Sequence, residues 1–146
     1  LAQPLAAGQA QALRQALTDG GIAADELDYV NAHGTGTVEG DPVEIDALRT
    51  VFGIRAERLA VSSTKSMHGH MLGATGAIEA LITVMAIARQ QVPPTAHLEH
   101  VDPACTGVRH VAGTGADLPV RAALSSSFAF GGSNAVLAFR QAAAVH

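Results

Sequence analysis

The sequence predicts an α/β fold, with strands packed against a buried central helix. Three observations carry that expectation. Apolar spacing switches between helical and strand-like stretches along the chain. One helical stretch is apolar almost all round. Two short strand-like runs each deliver the chain to a glycine-rich segment that holds histidine.

Taken in order, Gly8 to Asp19 places Ala12, Leu13, Ala16 and Leu17 on one helical face, and Gly20-Gly21 stops that helix. Asp25 to Asp28 is a turn, and Tyr29 to Ala32 reads as a short strand. Asp41-Pro42 opens a second helix, with Asp41 as N-cap and the proline at the first helical position. Ile45, Leu48, Val51 and Phe52 mark its buried face, and Gly53 ends it. Leu59 to Ser63 is a second strand. Gly76 to Gln91 then reads as a helix without a polar face, the pattern of a buried central helix. Pro93-Pro94 breaks it. Thr95 to Asp117 is irregular, with three histidines. Ala122 to Ser127 and Ala135 to Phe139 close the chain as two strands, with Gly131-Gly132 in the connection. The plainest reading of that connection is a two-residue hairpin turn.

At 146 residues the chain has the length of one domain, 1–146, and can bury a substantial core. It is 48% hydrophobic but only 3% aromatic and has no tryptophan, so that core is aliphatic and alanine-rich. A net charge of -4 gives no footprint for nucleic acid or an anionic membrane surface. Eight of the nine basic residues are arginine, which leaves Lys65 as the only lysine, inside a Gly/Ser/His segment. The opening residues lack a basic n-region, and the apolar stretch Ala80 to Ala88 is too short to span a bilayer. A cytoplasmic chain is therefore expected. It opens on leucine rather than methionine, which suggests a fragment or a processed chain.

Two segments stand out. The first is Asn31-Ala32-His33-Gly34-Thr35-Gly36-Thr37, and the second is Ser63-Thr64-Lys65-Ser66-Met67-His68-Gly69-His70. A single histidine at a strand end is commonly structural. Here Gly34 and Gly36 allow the backbone to approach a ligand closely, and Thr35 and Thr37 alternate hydroxyls along one strip. His70, His33 and a carboxylate such as Asp41 or Glu79 could be imagined around a metal, but no zinc-type spacing is present, so no metal is expected. Gly73 to Gly76 lacks the lysine of a phosphate loop and reads instead as small residues that let the central helix pack tightly. Cys105 has no helix N-terminus or strand elbow to activate it and reads as incidental. His97, His100 and His110 read as surface residues.

These two segments, with Phe128-Ala129-Phe130-Gly131-Gly132-Ser133-Asn134, resemble the β-ketoacyl-acyl carrier protein synthases of the thiolase superfamily. The likeness covers about Gly8 to Arg140 and is to the elongating type. It implies the C-terminal half of a thiolase-like α-β-α-β-α layered fold, with a mixed sheet and a buried central helix. It implies a decarboxylative Claisen condensation in fatty-acid or polyketide synthesis, with no cofactor, substrates being carried on the phosphopantetheine of acyl carrier protein.

The resemblance also implies residue roles. His33 and His70 would donate hydrogen bonds to a malonyl thioester carbonyl, and Lys65 would position His70 and set the charge of the site. Thr35 and Thr37 would bind the phosphopantetheine arm. In the loop of Phe128, Phe130, Gly131 and Gly132, the Phe130 N–H would serve an oxyanion hole and its ring would gate the acyl pocket. Glu79 would brace the lysine. Ala129 departs from the family's usual glycine. The nucleophilic cysteine of the family has no counterpart here, so the expected partners are an N-terminal half, acyl carrier protein and, in the intact family, a second copy. A lone half is expected to be inactive and to expose an apolar face. The alternatives are a non-catalytic half or a chain-length-factor-like partner, against which the retained His33, Lys65 and His70 argue. A degradative thiolase would want a second cysteine near Gly131-Gly132.

Overall fold

Strands of three residues cannot form stable structure alone, so the short strands of this chain exist by pairing. The computed structural model describes residues 4–143. In chain order its helices and strands are α1 (Ala6–Asp19), β1 (Tyr29–Asn31), α2 (Gly40–Phe52), β2 (Ala60–Ser62), α3 (Lys65–His68), α4 (Thr75–Arg89), β3 (Gln91–Val92), β4 (Arg109–His110), β5 (Ala116–Asp117), β6 (Ala122–Phe128) and β7 (Asn134–Arg140). Five strands make one sheet in the order β4-β2-β1-β6-β7. β1 pairs in parallel with both β2 and β6, β2 pairs in parallel with β4, and β7 runs antiparallel to β6. The sheet is mixed and the fold is α/β, as expected. β3 and β5 form a separate antiparallel pair.

Successive side chains of a strand point to opposite faces, and the register sorts them cleanly. Val30, Val61 and Leu124 share a core with Leu13, Leu17, Ile45, Leu48 and Phe52, so α1 and α2 cover that face. Tyr29, Ala60 and Ala123 pack with Ala86 and Ile87 of α4 on the other. One step toward the strand ends, Ser125, Asn31 and Ser62 form a polar row on the α4 side, all buried. That row, at the carboxyl ends of parallel strands, is where an α/β sheet presents its ligand-binding loops.

Several expectations need correction. α4 is not buried all round. Its buried stripe is Thr75, Glu79 and Thr83 with Ala86 and Ile87, while Leu81 is 57% exposed and Val84 and Met85 lie on the surface. The polar stripe faces the polar row of the sheet, and the apolar side is uncovered. Leu72–Arg89 is also long and apolar enough to cross a membrane by length and composition, contrary to the reading of the shorter apolar stretch. Its packing on the sheet through Glu79 is that of a core-facing helix. A Cβ at Gly73 would meet nothing within 4 Å, so that glycine is not there for close helix packing.

Asp41 is not the N-cap of α2. It lies within the first turn, and its carboxylate accepts from the Gly36 N–H at 3.1 Å. The segment after β2 is a short helix, α3, rather than a loop. The β6–β7 connection has five residues, closed by the Ala129 N–H on the Ser133 carbonyl at 2.8 Å, with Gly131 and Gly132 at φ 81° and 79°. It is a longer loop than a two-residue turn. His110 is half-buried, its Nε2–H on the Cys105 carbonyl at 2.7 Å, and it belongs to β4.

Candidate functional site

β1 ends at Asn31 and β2 at Ser62, neighbours in register, so the two histidine segments leave the sheet side by side. Their rings meet. The His33 and His70 centroids are 5.7 Å apart at an interplanar angle of 86°, an edge-to-face contact. Phe128, at the end of β6, places its ring 6.1 Å from that of His33. Three adjacent strands thus deliver His33, His70 and Phe128 to one place.

The environment selects the neutral form of His33. Its pKa is lowered from 6.5 to about 4, chiefly by burial, with smaller contributions from the nearby Lys65 and His70. Its Nδ1 is buried without a partner. The loop behind it is fixed by Glu44 of α2, whose carboxylate accepts from the His33 N–H at 2.9 Å and the Gly34 N–H at 2.8 Å. Burial raises the Glu44 carboxyl to about 7, against the pull of those two N–H groups. The Ser63 hydroxyl closes the loop from the other side by donating to the Gly34 carbonyl at 2.6 Å.

At His70, the Leu72 N–H reaches Nδ1 at 3.2 Å, and the Thr75 hydroxyl lies 3.1 Å from the same nitrogen. A backbone N–H can only donate, so Nδ1 accepts and the proton of the neutral ring sits on Nε2. The Nε2–H is left as a donor.

Lys65 opens α3 and is buried. Its Nζ donates to Glu79 Oε1 at 2.5 Å, with side-chain exposures of 4% and 0%. Burial raises the Glu79 carboxyl, and the Lys65 ammonium opposes that shift. The second Glu79 oxygen has no partner. Asn31 ties the pair to the sheet, its Nδ2 donating to the Glu79 carbonyl at 3.3 Å, and Thr83 donates to the same carbonyl at 2.7 Å.

Thr35 and Thr37 are exposed on the loop after His33, and Thr37 Oγ1 accepts from the Gly40 N–H at 3.1 Å at the start of α2. Phe128 is buried. Phe130 is not gathered with the histidines: its side chain is 83% exposed, flanked by the exposed Gly131 and Gly132. Among the described residues no three His, Cys, Asp or Glu side chains are arranged to hold a metal.

Glu44 was not anticipated. The signal was present: Glu44, Leu48 and Phe52 recur every fourth residue, which places a carboxylate on the buried face of α2. The same spacing in Thr75, Glu79 and Thr83 marks the buried polar stripe of α4.

Comparison with known proteins adds the family context. Residues 1–99 match the model for the β-ketoacyl synthase C-terminal domain. The chain is 46% identical over 141 residues to nodulation protein E of Rhizobium sp. (strain N33), covering 97% of this chain and 35% of that protein. It is 48% identical over 134 residues to 3-oxoacyl-[acyl-carrier-protein] synthase 2 of Synechocystis sp. (strain ATCC 27184 / PCC 6803 / Kazusa), covering 92% of this chain and 32% of that protein. Among solved structures, a β-ketoacyl synthase from Burkholderia phymatum STM815 superposes with a TM-score of 0.90 at 41% identity, over 97% of this chain and 34% of that one. A type II polyketide ketosynthase, solved with its acyl-carrier protein and bound to a hexaketide, gives a TM-score of 0.90 at 32% identity, over 97% of this chain and 35% of that one. The chain thus spans about a third of the length of these relatives.

Proposed function

The chain belongs to the β-ketoacyl synthase family, as its C-terminal domain, and from that premise we propose that it supplies the decarboxylation half of a condensing site. The observation that carries the reading is the His33–His70 pair, two imidazoles in edge-to-face contact on adjacent loops. A malonyl thioester lodged against them loses its carboxylate as carbon dioxide. The electrons of the broken C–C bond move onto the thioester oxygen and form an enolate. Neutral imidazole N–H groups stabilise that developing oxyanion without being consumed. His33 is kept neutral by burial and by Lys65, and His70 presents Nε2–H.

The enolate carbon then attacks an acyl thioester held on a cysteine of the N-terminal half. The new C–C bond forms, and the cysteine leaves as thiolate. The Phe130 N–H would complete an oxyanion hole at that second carbonyl, with Gly131 and Gly132 shaping the loop and the Phe130 ring gating the acyl pocket. Thr35 and Thr37, exposed on the His33 loop, would bind the phosphopantetheine arm of acyl carrier protein. Lys65, braced by Glu79, sets the local charge. The uncovered side of α4, with Leu81, Val84 and Met85, would pack against the N-terminal half, and the whole would form a homodimer in the cytoplasm. Residues 1–146 act as one domain in this scheme and are inactive alone.

The test is release of carbon dioxide from a malonyl thioester by the full-length synthase that carries this chain. His33→Ala and His70→Ala are each expected to slow release by about 100-fold, the scale of removing one oxyanion donor. Unchanged release in both variants would overturn the reading.

A further inference from the structure

His68 is used by none of the steps above, yet both nitrogens of its ring are engaged. Nδ1 lies 2.7 Å from the Gly69 carbonyl oxygen, and Nε2 lies 3.1 Å from Thr64 Oγ1. We propose that His68 is a positioning residue for His70, its ring clamping the Gly69–His70 peptide against the buried Thr64–Asn31–Glu79 network. This rests on the proposed function, since it assigns His70 a direction to be held in.

The donors follow from the partners. The Glu79 carbonyl only accepts, which fixes the Asn31 amide with Nδ2 toward it and Oδ1 toward Thr64. Thr64 Oγ1 donates its one proton to that Oδ1 at 3.2 Å, so toward His68 it accepts. His68 Nε2 therefore donates to Thr64, and Nδ1 donates to the Gly69 carbonyl; a neutral imidazole has a single N–H, so the ring that makes both bonds is the imidazolium. Thr64 is fully buried, so one end of the clamp is anchored in the core. The other end holds the carbonyl of the peptide that carries His70. That peptide needs holding, because Gly69 sits at φ 75°, ψ 176°, where α3 stops and a glycine has no side chain to restrain it. Beyond it, His70 is exposed. Its own hydrogen bonds, with Thr75 and Leu72, lie downstream, so beside the His33 ring contact His68 supplies the hydrogen-bonded restraint on the upstream backbone.

The experiment uses the full-length synthase with His68→Leu and His68→Asn, both checked for an unchanged melting temperature. Asparagine keeps a donor at the Nδ1 position and loses the reach to Thr64. Malonyl decarboxylation by His68→Leu is expected to fall about 10- to 100-fold in kcat with KM little changed, the scale of a misplaced reacting group. His68→Asn is expected to recover only part of it, because the anchor on Thr64 is lost. Ring 15N shifts of His70 are expected to show one fixed tautomer, N–H on Nε2, in wild type and an averaged one in His68→Leu. Full kcat together with an unaltered His70 spectrum in His68→Leu overturns the clamp. If wild type itself releases no carbon dioxide, the function reading fails, and the His70 spectra still decide the clamp. If His68→Leu does not fold, His68→Gln, which keeps only the Nε2-type donor, takes its place with the same readouts.

Discussion

Glu44 and His33 lie eleven residues apart on different elements, yet the Glu44 carboxylate accepts the His33 N–H at 2.9 Å and, with its other oxygen, the Gly34 N–H at 2.8 Å. The helix α2 thereby sets the backbone of the loop that aims the His33 ring. Glu44→Ala leaves two N–H groups without an acceptor, and an unsatisfied buried donor costs about 1–3 kcal/mol. A loss of about 2 kcal/mol in urea unfolding is expected, with Glu44→Gln recovering part of it. No change in either variant would mean that the loop is fixed elsewhere.

The His33 ring gives a direct pH test. Its folded pKa, about 4, lies below the ordinary 6.5. The unfolded chain therefore binds more protons than the folded one between those values, so this group's contribution to stability rises as pH goes from 4 to 6.5 and is lost on acidification. The ring is neutral throughout the physiological range. An NMR titration should place its midpoint near 4. A midpoint near 6.5 would contradict the burial argument.

Much of this was legible in the chain because glycines and histidines cluster where strands end. The segments 31–37 and 63–70 point to the place where the His33 and His70 rings meet, Phe130 of 128–134 stays apart from them, and the α/β order follows from the alternation of periods. The misreading of α4 was that apolar residues nearly all round mean burial all round. In α4 the buried stripe is Thr75, Glu79 and Thr83, because it meets the polar row Ser125–Asn31–Ser62 and Lys65 rather than an apolar sheet face. Glu44 escaped notice because only apolar positions were used to mark the buried face of α2. Two-residue strands such as β4 and β5 carry no period at all, and pairing alone defines them.

The Lys65–Glu79 pair separates stability from activity. Removing one partner of a buried pair strands the other charge and costs about 3–5 kcal/mol, whereas replacing both with apolar groups of similar volume is often neutral. Lys65→Ala is expected to lower the melting temperature sharply. Lys65→Met with Glu79→Leu should restore it but not decarboxylation, because the charge beside His33 is gone. The His33 midpoint should also rise in the double variant, since Lys65 is one of the groups that lower it. Full activity in the double variant would show that the pair is only a structural brace.

The outward side of α4 makes the last test. Leu81 is 57% exposed, Val84 42% and Met85 38%, and they follow one another along the helix beside the half-exposed Ile78 and Ile82. A contiguous apolar surface of this kind drives association unless it is covered. The isolated chain is expected to self-associate and to bind a hydrophobic dye. Leu81→Lys with Met85→Lys should disperse it, since neither side chain lies in the buried stripe that holds α4 to the sheet. The same two substitutions in the full-length synthase should prevent assembly, because the surface that aggregates in the fragment is the one proposed to receive the N-terminal half. An isolated chain that stays monomeric and dye-negative in analytical ultracentrifugation would refute that assignment, as would a full-length double variant that assembles normally.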